Sequence, residues 1–147
     1  MRFVVLHHTG WPGHGDHFDL MLQAEAGDSD AAPVLKTFAT ITPEFPDGKS
    51  HADVRQRDEQ ALGPDAQTNL LRLIDDHRRA YLEYEGEVSG GRGRVSRVDC
   101  GALAWLQPPE ADALLLRFEL QGARLKGGYR LRHMGGGIFS FERLKRV

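Results

Sequence analysis

Two-residue alternation governs the first part of this chain. From His17 to Gln23 it reads His-Phe-Asp-Leu-Met-Leu-Gln, and strand side chains repeat every two residues. Phe18, Leu20 and Leu22 are therefore expected on a core-facing side, with His17, Asp19, Met21 and Gln23 on the other. The preceding run, Phe3-Val4-Val5-Leu6-His7-His8, also has strand character, and a Gly/Pro-rich break separates the two. Four of the seven histidines lie between His7 and His17. A His and a carboxylate two apart on one strand face, joined by a His from the preceding strand, can converge on one divalent ion. Imidazole plus carboxylate suits Mn, Zn or Fe, and three protein ligands leave positions for water and substrate. A plain hairpin with solvated histidines has the same spacing, and no tight signature such as H-E-x-x-H decides between them.

The rest of the chain extends the β reading. Residues 34–41 form a third strand ended by Thr42-Pro43. Residues 44–65 make a long polar excursion containing His51, Arg55 and Arg57, and long excursions in compact domains are often functional. Between 67 and 81, Leu70, Leu73, Ile74, His77 and Tyr81 fall near one helical stripe, with Asp65 as a candidate cap. The main helix is thus predicted within residues 65–80. Ser89-Gly90-Gly91-Arg92-Gly93 joins two strand candidates; no helix follows, so it reads as a turn and not a phosphate-binding loop. A meander closes the chain, with turns at Gly122, Gly127-Gly128 and Gly135-Gly136-Gly137. The predicted architecture is mainly β: a small antiparallel β-barrel with one or two short helices.

At 147 residues, a single domain spanning 1–147 with its own core is expected. No apolar run approaches the roughly 18–20 residues of a membrane span, and no signal-like pattern precedes the first strand, which predicts a cytoplasmic protein away from membranes. Cys100 is alone, which rules out an intramolecular disulfide and a multi-cysteine zinc site. The net charge of −2 is unevenly spread. From Arg117 to Val147 eight Lys/Arg face two Glu, a local +6 that leaves −8 elsewhere. Such asymmetry can create a basic face that attracts phosphates, and a solvated strand face has the same count.

Several segments, in order, resemble the 3′-phosphoesterase domain of bacterial ATP-dependent DNA ligase D. Phe3-Val4-Val5 leading to His8 is similar to that family's first strand, and His17-Phe18-Asp19-Leu20-Met21-Leu22 to its His-Tyr-Asp-hydrophobic-Arg-Leu motif. Leu35-Lys36-Thr37-Phe38-Ala39 resembles Leu-Lys-Ser-Trp-Ala, and Asp76-His77 with Tyr81 resembles Asp-His-Pro-x-x-Tyr. Tyr84-Glu85-Gly86 fits the Phe-Glu-Gly that follows, and residues 120–127 are close to Leu-His-Gly-x-x-Leu-Lys-Gly. The resemblance implies a stand-alone, manganese-dependent hydrolase of DNA repair and non-homologous end joining, with zinc as the alternative ion. It would remove 3′-phosphate or trim 3′-ribonucleotides. Its partners would be nucleic-acid 3′ ends and a repair ligase or polymerase, and the protein would be a monomer. Carried over by position, His8, His17 and Asp19 would hold the metal, His77 and Tyr81 would address the phosphate, and Arg124 and Lys126 would contact substrate.

Departures from the family bear on activity. Met21 stands where the family has a phosphate-gripping Arg, and a thioether cannot supply a charged fork. The family's strand-end Lys falls near Thr42. The loop between His8 and His17 is longer and carries His14, a reserve ligand, which leaves the first ligand open among His7, His8 and His14. The expectation is weakened catalysis that Met21→Arg would raise, unless Arg2, Arg55, Arg57, Arg72 or Arg124 replaces the missing cation. The alternative is a metal-binding barrel that binds DNA ends or docks on a ligase without turnover.

Overall fold

The computed structural model describes residues 1–48 and 68–144. His51, Arg55 and Arg57 lie outside them. The strands are β1 (Arg2–Thr9), β2 (His17–Gln23), β3 (Leu35–Thr40), β4 (Thr68–His77), β5 (Gly86–Glu87), β6 (Arg94–Trp105), β7 (Leu115–Gln121), β8 (Lys126–Gly135) and β9 (Ile138–Arg143). Every pairing is antiparallel, in the order β1-β2-β3-β4-β9-β8-β7-β6, and β1 returns to β6 to close an eight-stranded barrel. The two-residue β5 lies beside the first residues of β6.

The alternation of β2 comes out as read. Phe18, Leu20 and Leu22 point inward with Phe3 and Val5 of β1, Phe38 of β3, and Leu116, Phe118 and Leu120 of β7. Full burial of each such side chain contributes about 1.5–3 kcal/mol. The opposite face of β1–β3 is buried as well. Val4, Leu6, Met21 and Leu35 form a second apolar cluster there, roofed by Val34, Leu82 and Val95, with Tyr81 against it. A strand covered on both sides needs a nearly continuous apolar run, which Phe3-Val4-Val5-Leu6 supplies.

Among the described residues, 68–80 do not form the helix expected within 65–80. Residues 68–77 form β4, paired to β3 on one side and β9 on the other, and the only described helix is a 3₁₀ turn at Arg79–Leu82. The apparent stripe misleads: Leu70 and Leu73 are 45% and 36% exposed, whereas Leu71 is fully buried. Without a strand here, β3 and β9 would both present open edges, so barrel closure overrides the local spacing. No helix among the described residues is long and apolar enough to cross a membrane.

Candidate metal centre

The antiparallel register sets His8 directly opposite His17, and Leu6 opposite Asp19. Opposed residues on one face have Cβ atoms about 4.5–5.5 Å apart, so the backbone alone brings the two rings and the carboxylate together. One potential ligand atom from each of His8, His17 and Asp19 lies within 4.8 Å of the others. His7 points the other way and stacks on Phe18 at 4.4 Å inside the barrel. His14 stacks on Trp11 at 3.7 Å and is not part of the three-residue group. Of the three histidines left open, His8 is therefore the one that joins His17 and Asp19 in a group that could hold a metal ion.

Hydrogen bonds to backbone carbonyls fix both ring tautomers. A carbonyl only accepts, so His8 Nε2, 2.6 Å from Arg92 O, carries the proton, and Nδ1 is turned to Asp19 Oδ2 at 3.5 Å. His17 Nδ1–H donates to Gly15 O at 3.0 Å, and its Nε2 lies 3.2 Å from Asp19 Oδ1. Ligands around one ion at 2.0–2.2 Å are themselves roughly 3–3.5 Å apart, and each ring nitrogen lies at that spacing from one of the two Asp19 oxygens. Asp19 is 3% exposed, and its Oδ1 makes no well-formed hydrogen bond. A buried carboxylate oxygen without a good donor, beside two preset imidazole lone pairs, is the donor set a divalent cation completes. The two N and one O donors fit Zn or Mn alike.

The charges of this group are coupled. The Asp19 carboxylate raises the pKa of both His8 and His17 above the ordinary value, against the opposing effect of burial. For Asp19, burial favours the neutral form, but the His17 and His8 rings outweigh it and hold its pKa below the usual carboxylate value.

The Gly-rich turn read as a plain connector turns out to hold His8. Arg92 donates from Nε to Ser89 O at 2.7 Å, locking the turn, and offers its own carbonyl to His8. Gly93 has φ +81°, and a Cβ there would sit 2.2 Å from Thr9 O. Only glycine lets this turn lie against the end of β1. A glycine after Arg92 signals a turn in sequence; its partner across 84 residues is visible only in the fold.

Register sets two exposed cations in Asp19's row, each two strands away: Arg97 across Leu6, and Arg72 across the much smaller Ala39. Asp19 lies opposite Ala39, and Ala39 opposite Arg72, so Arg72 shares Asp19's row on the outer face with only a methyl between. Arg72, His17, His14, Asp16, Ile41 and Pro43 line an open cleft of about 520 Å³. Among the described residues Arg72 makes no ion pair. Of the other candidates, Arg2 and Arg124 lie among the described residues, and both are engaged elsewhere. Arg2 pairs with Glu83 at 3.2 Å. Arg124, expected to contact substrate, is 4% exposed, 3.6 Å above the Phe45 ring and 3.7 Å from Asp47. That makes it an internal brace and not a surface cation. Lys126 is exposed at the start of β8.

His77 and Tyr81 meet each other edge to face at 5.4 Å. His77 is opposite Leu35, and Leu35 opposite Gln23, four residues along β2 from Asp19, roughly 13 Å of strand. Met21 is 1% exposed within the outer apolar cluster, so its position is a packing site here. No protein-family model and no curated protein matches the chain.

Proposed function

We propose that this chain is a manganese-dependent phosphoesterase acting on 3′ ends of nucleic acid, by 3′-phosphate removal or 3′-ribonucleotide trimming, as its resemblance to the ligase D phosphoesterase domain implies. The observation that carries the reading is the His8–His17–Asp19 group with both tautomers fixed so that a free ring nitrogen faces Asp19. A divalent ion held there would polarise a phosphoryl oxygen and acidify a bound water. Arg72, across the small Ala39, would grip the phosphate's remaining oxygens in a bidentate fork, the work assigned in the family to the residue at the Met21 position. The site is laid out on strands, whose rigidity suits positioning.

One observation favours the second reading, an end-binding barrel without turnover. His77, expected to address the phosphate, spends Nδ1 on Asp75 O at 2.8 Å and stands level with Gln23, away from Asp19. The test is release of phosphate from a 3′-phosphorylated oligonucleotide under manganese, with manganese binding measured in parallel. Arg72→Ala should lower the rate roughly 10- to 150-fold, the worth of a charged hydrogen bond made in the transition state. Manganese bound without any turnover on 3′-phosphate or 3′-ribonucleotide ends would replace the enzyme by the end-binding barrel.

A further inference from the structure

Trp11 packs on histidines and not in the apolar core. The protein has two tryptophans, and the other, Trp105, packs against the main core and donates its Nε1–H to Gln23 O at 2.9 Å. Trp11 belongs to neither apolar cluster and lies half-buried in the loop between β1 and β2, between the strand ends that carry His8 and His17. Gly10 and Gly13, at φ +72° and +82°, fold this loop back on itself. His14 N–H donates to Trp11 O at 3.0 Å, which closes the turn and sets the imidazole flat on the indole, 3.7 Å away and tilted by 21°. The indole also stacks with His8, at 5.4 Å and 20°. His8 and His17 continue the series at 4.9 Å. A ladder of four rings thus runs from solvent to the metal group. Its outermost member, His14, is exposed and makes no side-chain hydrogen bond among the described residues.

We propose that the Trp11–His14 pair is a stacking platform for a nucleobase, so that the site's substrate class is a nucleoside 3′-phosphate unit and not a phosphate ester in general. The inference rests on the phosphoesterase reading, because the phosphate would lie between the metal group and Arg72. His14, His17 and Arg72 line the same cleft of about 520 Å³, so a base on the platform and a phosphate at Arg72 share one space. The imidazole of His14, held by stacking alone, occupies the place a base takes over or extends. Stacking on an aromatic side chain accepts any base, since each has a π face.

The experiment compares base-bearing and baseless probes on the manganese-loaded protein by calorimetry. The free probes are thymidine 3′-phosphate and the same sugar phosphate without its base. The strand probes are 3′-phosphorylated oligonucleotides ending in a normal or an abasic residue. Base-bearing probes should bind about 5- to 150-fold more tightly than their baseless counterparts. In the zinc-loaded protein, they should also quench a tryptophan signal that Trp11→Phe removes. His14→Ala should shrink the preference for the base while the baseless affinity holds, a pattern that local unfolding would not give. Discrimination only within the strand pair supports the platform and assigns it to nucleic-acid ends; discrimination within both pairs shows that one nucleotide suffices. Equal affinities with no quenching overturn the platform and leave the phosphoesterase reading standing. Failure of all four probes to bind a metal-loaded protein overturns both.

Discussion

His17 donates its Nδ1–H to the carbonyl two residues back, Gly15 O at 3.0 Å, and His77 has its Nδ1 on Asp75 O, also two residues back, at 2.8 Å. The local device is the same, and both histidines stand at strand ends on the outside of one barrel. What each ring meets on its other side differs. His17 Nε2 faces Asp19, 3% exposed, with His8 beyond it. His77 meets the edge of Tyr81, and its nearest acidic neighbours in sequence, Asp75 and Asp76, are exposed. For these two rings fixing a tautomer is thus a local act of a short segment, whereas His8 takes its tautomer from Arg92, 84 residues away. A metal centre also needs a carboxylate stripped of water and a second ring from the neighbouring strand.

Exchanging the carboxylates separates the two corners by the largest margin. Asp19→Asn keeps the shape and removes the charge, so manganese affinity should fall beyond the roughly 10- to 100-fold typical of losing an outer-shell partner. Asp76→Asn should leave calorimetric binding unchanged, as should His77→Ala. Loss of binding in His77→Ala would mean that the two corners form one site.

A charge placed in each environment gives the next largest effect. Met21→Arg puts a guanidinium among Leu6, Val34, Leu35 and Leu82, and an uncompensated buried charge costs roughly 3–5 kcal/mol. The same substitution at Leu70, which is 45% exposed, should cost no more than about 0.5 kcal/mol. Thermal unfolding of the two variants checks this. It reverses the expectation that an arginine at position 21 restores activity, since the position is roofed by the 3₁₀ turn's Leu82. A Met21→Arg protein as stable as wild type and more active would bring that expectation back.

Gly93→Ala probes the support of His8 without touching a ligand. The added methyl meets Thr9 O and Trp11 N, so the turn must move and take Arg92 O away from His8 Nε2. Manganese affinity should fall about 10- to 100-fold, the usual cost of losing an outer-shell partner. Gly91→Ala is its control: φ is positive there too, but nothing lies within 4 Å of the added atom. Equal losses in both variants would assign the effect to backbone strain and not to the clamp.

How far the sequence spoke for these features depends on how local their causes are. Alternation along His17–Gln23 is a property of one segment, so the inward set Phe18, Leu20 and Leu22 was legible, as was the shared outer face of His17 and Asp19, two members of the group that could hold a metal ion. The choice of His8 over His7 follows from which face of β1 the pair shares with β2, a parity that one register fixes. β4 was misread because Leu70, Leu73 and Ile74 mimic a helical stripe, and only its neighbours β3 and β9 show why Leu71 is the buried residue. Arg72 and Gly93 reach the site through other strands, Arg72 across Ala39 and Gly93 against Thr9. Nothing within either segment encodes that proximity.

The smallest expected effect is one of pH, and it should run in opposite directions with and without metal. In the metal-free protein the pKa values of His8 and His17 lie above 6.5, so their contribution to stability is complete below 6.5 and is lost as pH rises through the raised values. Asp19 lies below 3.8, so its contribution is present above 3.8 and is lost as pH falls through the lowered value. The three together stabilise the metal-free fold most between 3.8 and 6.5. Metal reverses the slope on the alkaline side, because each imidazole must give up the proton facing Asp19 before it can ligate, with release of up to about two protons per ion. Melting temperatures taken from about pH 5 to about pH 9 should therefore fall with pH in chelator and hold or rise in manganese, the two curves diverging above the His range. The His77→Ala protein should show the same divergence, whereas Asp19→Asn should abolish it. Parallel curves in the wild-type protein would mean that the ion binds away from His8 and His17.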